Sequence, residues 1–186
     1  MTLFEYLAAG YALILSFAVA RVIGGLPDSL ALSRRYWVHL VAIVALCLCM
    51  SAAFWDFWSF RAVDWTFARF LIALGPAVTL YFLAATLIPS SPDRVESWQE
   101  FYFSIRLRYF SAWIALALSF ALATTILLDL PASHPARAVQ AVFLAVGALG
   151  LSSAHPSVHA GIAIAALLVL AAGVLGLFTP PGLVVP

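Results

Sequence analysis

Lysine is absent from this chain of 186 residues, and charged side chains of every kind make up only 9% of it. A soluble domain carries roughly 25% charged and about 45–50% apolar residues. Here 65% are hydrophobic and the mean hydropathy is +1.08. That shortage of charge excludes a water-soluble globular enzyme. It also excludes intrinsic disorder, which needs low hydrophobicity and high charge. A net charge of +1 leaves no basic face for nucleic acid. Cysteine is scarce too, with Cys47 and Cys49 alone. Two positions apart on a helix they point about 200° from each other and cannot easily bridge. Both read as small apolar packing residues. What remains is an integral membrane protein, whose function is performed within the bilayer or at its faces.

Arginine to the exclusion of lysine, with abundant alanine and leucine, points to a GC-rich bacterial genome. The N-terminus lacks the basic region of a secretory signal, so its first apolar stretch reads as a retained transmembrane helix. A bilayer core needs about 20 apolar residues per helix. Six stretches qualify, at about 3–26, 36–60, 65–88, 107–130, 136–154 and 157–178. Glycine and proline supply the stops: Gly24, Gly25 and Pro27 after the first, Pro89 after the third, Pro131 after the fourth, Pro180 and Pro181 after the sixth. The expected fold is all-α, one domain over 1–186, a compact bundle of six transmembrane helices. The segment at about 92–106 interleaves Asp93, Arg94, Glu96, Glu100 and Arg106 with Trp98, Phe101, Tyr102 and Phe103. It reads as an interfacial anchor helix or an early extension of the fourth span.

Arginine counting sets the orientation. The first, third and fifth loops share a side and hold Arg21, Arg34, Arg35, Arg94, Arg106 and Arg108; the other side holds Arg61, Arg69 and Arg137. The first group is expected in the cytoplasm of a bacterial inner membrane, with both termini periplasmic. An internal match also stands out: ALILSFAVA at 12–20 and ALALSFALA at 115–123 agree at seven of nine positions, with Tyr6 and Tyr109 at the same offset. Duplication would make an inverted repeat, a transporter device. Chance matching of Ala/Leu-rich helices is the plainer reading.

A charge well inside a span costs roughly 2.5–3.5 kcal/mol unless paired or near the interface. The candidate periplasmic polar cluster is Glu5, Asp56, Arg69 and Asp129, with an Asp56–Arg69 ion pair ringed by Trp55, Trp58 and Trp65. It reads as a brace between neighbouring helices or as an outer vestibule. The candidate cytoplasmic cluster is Arg21, His39, Glu100, Arg106 and Arg108, which either snorkel to lipid phosphates or face a common anion site. Gly75 and Pro76 at mid-span predict a kink that frees a carbonyl near residue 72, with Thr79 and Tyr81 as nearby donors. His155, ahead of Pro156, is expected to cap the sixth helix, and His39 and His159 at similar depth would permit two haem ligands. No metal site, catalytic motif or phosphate loop is present, and no cofactor is predicted. Ser16 and Ser119 read as helix-packing residues, and the Gly147/Gly150 and Gly173/Gly176 seams as exposed docking faces.

Residues 1–110 resemble a group of small bacterial multi-span membrane proteins of uncharacterised function. The resemblance lies in Glu5-Tyr6, Arg21, YWVH at 36–39, FWDFW at 54–58, DWTFARF at 64–70, Pro76 and LYFLAATLIP at 80–89. It implies a six-helix inner-membrane protein and no activity, substrate or catalytic residue. Three functions therefore stand: a small channel or transporter for an ion or small solute; a non-catalytic accessory or scaffold subunit; and a haem-binding or other cofactor-bearing protein. The expected partners are the lipid bilayer and either further copies or another membrane protein.

Overall fold

The computed structural model describes residues 2–31 and 35–176, with side chains described as far as residue 169. It is all-helical among those residues. Six α-helices follow in order: α1 Leu3–Ser29, α2 Trp37–Asp56, α3 Phe67–Leu87, α4 Trp98–Leu128, α5 Pro135–Ser152 and α6 Pro156–Gly176. Short 3-10 turns at Phe57–Ala62 and Pro92–Arg94 link α2 to α3 and α3 to α4. Five helices, α1 to α5, are long and apolar enough to cross a membrane; the described apolar part of α6, Pro156–Val169, is shorter.

The helix boundaries refine the sequence expectations and overturn one of them. Of the two readings of 92–106, the early extension of the fourth span holds, because α4 starts at Trp98 and runs unbroken for 31 residues. The Ser97 hydroxyl caps it by accepting from the Glu100 amide at 3.3 Å. The second span, expected at about 36–60, runs as α2 to Asp56 and continues as the 3-10 turn, an apolar stretch of Trp37–Ala62 in all. Gly24, Gly25 and Pro27 do not stop α1, which continues to Ser29. Gly25 is a contact rather than a break: a Cβ there would overlap Ile88 of the neighbouring strand of chain. The Ser29 hydroxyl meets the Gly25 carbonyl at 2.9 Å. Gly75 and Pro76 lie within one continuous helix, α3. Thr79 Oγ1 donates within the turn toward the carbonyls of Gly75 and Pro76, 2.9 Å from each, while Tyr81 lies exposed.

The core is centred on α3, which packs against α1, α2 and α4; α4 in turn packs against α5, and α2 against α6. Ala73, Ala77, Leu80, Ala84 and Leu87 are wholly buried on α3. Their alternating spacing of four and three is the seam of close-packed, nearly antiparallel helices. The duplication finds no counterpart in this packing. Leu15 of α1 is 5% exposed and its match Leu118 is 54%; Leu13 is 59% exposed and its match Leu116 is 0%. The two helices use the same letters on different faces. Cys47 and Cys49 are both free.

Candidate functional site

The helices alternate in direction, so one end of the bundle gathers the C-terminal ends of α1, α3 and α5 with the N-terminal ends of α2, α4 and α6. A buried aromatic and histidine cluster fills that end. Trp98 Nε1 donates to the Asp28 carbonyl at 3.1 Å, tying the start of α4 to the end of α1. His39 stacks on Trp98 with centroids 4.6 Å apart, and Phe101 and Tyr102 meet it edge-on. His39 is wholly buried, and neither of its ring nitrogens has a hydrogen-bond partner.

Tyr102 also contacts the second buried imidazole. Its hydroxyl lies 3.1 Å from His159 Nδ1, and His159 Nε2 lies 2.8 Å from the Ser153 carbonyl. A carbonyl only accepts, so Nε2 carries the proton and Nδ1 accepts from the phenol. Arg106 reaches the same place: its Nη1 donates to the carbonyls of Gly150, Leu151 and Ser153. These are among the last carbonyls of α5, which have no partner within their own helix. Arg106 is therefore the C-terminal cap of α5, supplied from α4.

The other end of the same hairpin is built in reverse. Arg137, in the first turn of α5, donates to the Ala121 and Leu130 carbonyls at 3.3 and 2.7 Å. It also meets the hydroxyls of Thr124 and Thr125 at 3.1 and 2.9 Å and the Gln140 side chain at 3.0 Å. It thus ties the last turns of α4 and the chain just beyond them to the start of α5. Between these clamps Gly147 and Gly150 are buried against Ile114 and Phe110. The Gly147/Gly150 seam is an internal contact and not an exposed docking face. The side chains at Gly173 and Gly176 lie outside the described residues.

The two sequence-derived clusters do not converge. In the first, Glu5 and Thr2 form a reciprocal cap at the start of α1, with Thr2 N to Glu5 Oε2 at 2.7 Å and Glu5 N to Thr2 Oγ1 at 3.2 Å. Asp56 ends α2 and is exposed. Arg69 donates to the Asp64 carbonyl at 2.8 Å, and no ion pair joins it to Asp56 among the described residues. The Thr66 cap places Arg69 in the first turn of α3, over the chain it has just left. Asp129 adopts a left-handed φ of 49° as it closes α4. The aromatic surround is partly real: Trp65 stacks on Phe57 while Trp55 and Trp58 stay exposed.

In the second cluster His39 and Arg106 meet through Tyr102 and His159. Arg21 stands apart, bonded to the Ile88 carbonyl at 3.1 Å and to Ser90 Oγ at 3.4 Å. Glu100 and Arg108 are exposed. His155 does cap α6, its Nδ1 accepting from the Ser157 amide at 3.4 Å, and His134 caps α5 in the same way, with the Ala136 amide at 3.2 Å. The residues that sequence reasoning missed as a site are Trp98, Tyr102, Ser153, Arg137 and Gln140. Their signal was faint: aromatic residues at a four-residue interval ahead of an arginine look the same on an interfacial helix and on a buried one.

Chemically this end is a closed, largely satisfied polar network rather than an open pocket. Beside it, between α2, α4, α5 and α6, lies a cavity of about 20 Å3 floored by Tyr102, Tyr109 and Trp113. That is room for about one water. Among the described residues no three His, Cys, Asp or Glu side chains gather as a metal site. His39 gives a direct probe. Phe in its place keeps the stacking on Trp98 and removes two unpartnered nitrogens, whose burial costs roughly 1–3 kcal/mol. His39→Phe is expected to raise the melting temperature of the detergent-solubilised protein. A lower one would show that the imidazole is held by a partner.

Comparison with protein-family models, curated proteins and solved structures finds no match to this chain. The functional reading consequently rests on its own residues and packing.

Proposed function

We propose that this protein is a non-catalytic accessory or scaffold subunit of an assembly in a bacterial inner membrane. The observation that carries the reading is the use made of its inward-reaching arginines. Arg21, Arg106 and Arg137 are each bonded to neutral groups of this chain, mostly backbone carbonyls at helix ends. Groups engaged in holding helices together are poor candidates for handling a passing ion.

In this reading the chain crosses the bilayer six times. The cluster end faces the cytoplasm, since it holds Arg21, Arg35, Arg94, Arg106 and Arg108 against Arg61, Arg69 and Arg137 at the other. Both termini are then periplasmic. A second reading, a small channel or transporter, is favoured by one feature. Thr79 Oγ1 and Ser119 Oγ lie 3.3 Å apart beside Gly75 and Pro76, a polar spot midway along α3 and α4.

The two readings part in one experiment. The full chain is purified from its native membrane in mild detergent, weighed by native mass spectrometry and reconstituted into liposomes. The scaffold reading expects a complex of fixed stoichiometry with another membrane protein, and no flux of H⁺, Na⁺, K⁺ or Cl⁻ above empty vesicles. A protein that runs alone and carries one of these ions, with the flux abolished by Thr79→Val, would overturn it in favour of transport.

A further inference from the structure

A groove runs along the outside of the bundle between α1 and α3. It is lined by Ile14, Phe17, Arg21 and Tyr81 and encloses about 460 Å3. Its two ends differ in chemistry. Arg21 bonds the Ile88 carbonyl and Ser90, so its guanidinium lies level with the end of α3. Ile14 is two helical turns before Arg21, and Tyr81 is two turns before Ile88. Both therefore sit about 10 Å deeper. The groove has a cationic head and an apolar, aromatic body, which is the outline of an amphiphile.

The charge at the head is uncompensated. Both partners of Arg21 are neutral, and none of its contacts is with a carboxylate. A guanidinium has five donors in a planar fork, and the two bonds leave donors free. The Ser90 hydroxyl, which accepts from Arg21, keeps its own proton to donate. The head is also held in place, because α1 and α3 touch at Gly25 and Ile88, where a Cβ on the glycine would overlap the isoleucine. A donor set fixed in advance binds an anion at lower entropic cost.

We propose that this groove binds one anionic phospholipid. Its phosphate sits on Arg21 and Ser90, and one acyl chain runs inward along Phe17 to Ile14 and Tyr81. Phe17 is 57% exposed and offers that chain a flat apolar surface. An arginine fork matches a phosphodiester in charge and geometry. Phosphatidylglycerol keeps its net negative charge, whereas the ammonium of phosphatidylcholine cancels it, so the site discriminates between the two.

The test uses the full chain in detergent micelles holding equal amounts of phosphatidylglycerol and phosphatidylcholine, read by native mass spectrometry. Wild type is expected to retain a single phosphatidylglycerol, preferred by about tenfold, because the choline ammonium competes with Arg21 for the phosphate. Arg21→Gln is expected to abolish the preference. Ile14→Trp fills the apolar body without touching any bond of Arg21, and is expected to lower retention of the lipid. Equal retention of both lipids by wild type would overturn the proposal. So would an unchanged lipid load in Ile14→Trp, which decides the matter if Arg21→Gln does not fold. Displacement of the lipid by inorganic phosphate alone would assign Arg21 to a free anion and overturn it as well.

Discussion

Gly150→Val is expected to separate α4 from α5 and to destabilise the protein by about 3 kcal/mol. A Cβ at Gly150 would overlap the ring of Phe110, which is 1% exposed and borders only the cavity of about 20 Å3. Packed interiors do not yield to extra methyl groups without shifting backbone or forcing rotamers. Gly161 is the matched control, since a Cβ there meets nothing within 4 Å. Gly161→Ala should be neutral or gain up to about 1 kcal/mol from helix propensity. Unfolding by SDS titration of the two variants measures the contrast. Similar stabilities would mean that α4 and α5 pack by some other face.

Arg106→Met is expected to cost a comparable amount, about 3 kcal/mol, for a different reason. Methionine matches the apolar stem but leaves the Gly150 and Leu151 carbonyls without their donor, and the Ser153 carbonyl with His159 Nε2 alone. Hydrogen bonds to a charged group contribute roughly 1.5–3 kcal/mol each, and a carbonyl in hydrocarbon cannot turn to water instead. Arg106→Lys should recover only part of the loss, because an ammonium is a compact charge without the planar fork. The same titration reads both variants. Full stability in Arg106→Met would show that the α5 terminus is capped by another group.

The sequence announced helices and a membrane with little ambiguity. It placed the ends of α3 and the start of α6 within a few residues. It did not announce which face of each helix is buried. In water the core face is marked by polarity, but a helix in lipid is apolar all round, and here the seam is marked by size. Ala73, Ala77 and Ala84 on α3 and Gly25, Gly147 and Gly150 elsewhere mark close contacts, yet in the sequence Gly25 reads as a stop and Gly147 and Gly150 as an exposed docking face.

The site was less legible. Opposite charges at matching depth suggested an Asp56–Arg69 pair, but a turn of backbone nearer to Arg69 offered the Asp64 carbonyl first. Where charges are few, helix termini compete for them, and the sequence does not show which carbonyls are orphaned. His155 was read correctly because its cue is local: a side-chain acceptor followed by Pro156 at the first helical position. Arg106 and Arg137 act across forty-seven and sixteen positions, beyond the reach of any local cue.

The reciprocal clamps on α4 and α5 also bear on how the chain enters a bilayer. Alone in hydrocarbon, α4 would present Arg106 with nothing to bond. Alone, α5 would present Arg137 with only the Gln140 side chain of its own helix. Each helix carries what the other lacks, one at each end. The smallest unit in which both charges are satisfied is thus the hairpin, so the energetically sound order of assembly holds α4 at the membrane's edge until α5 has been made.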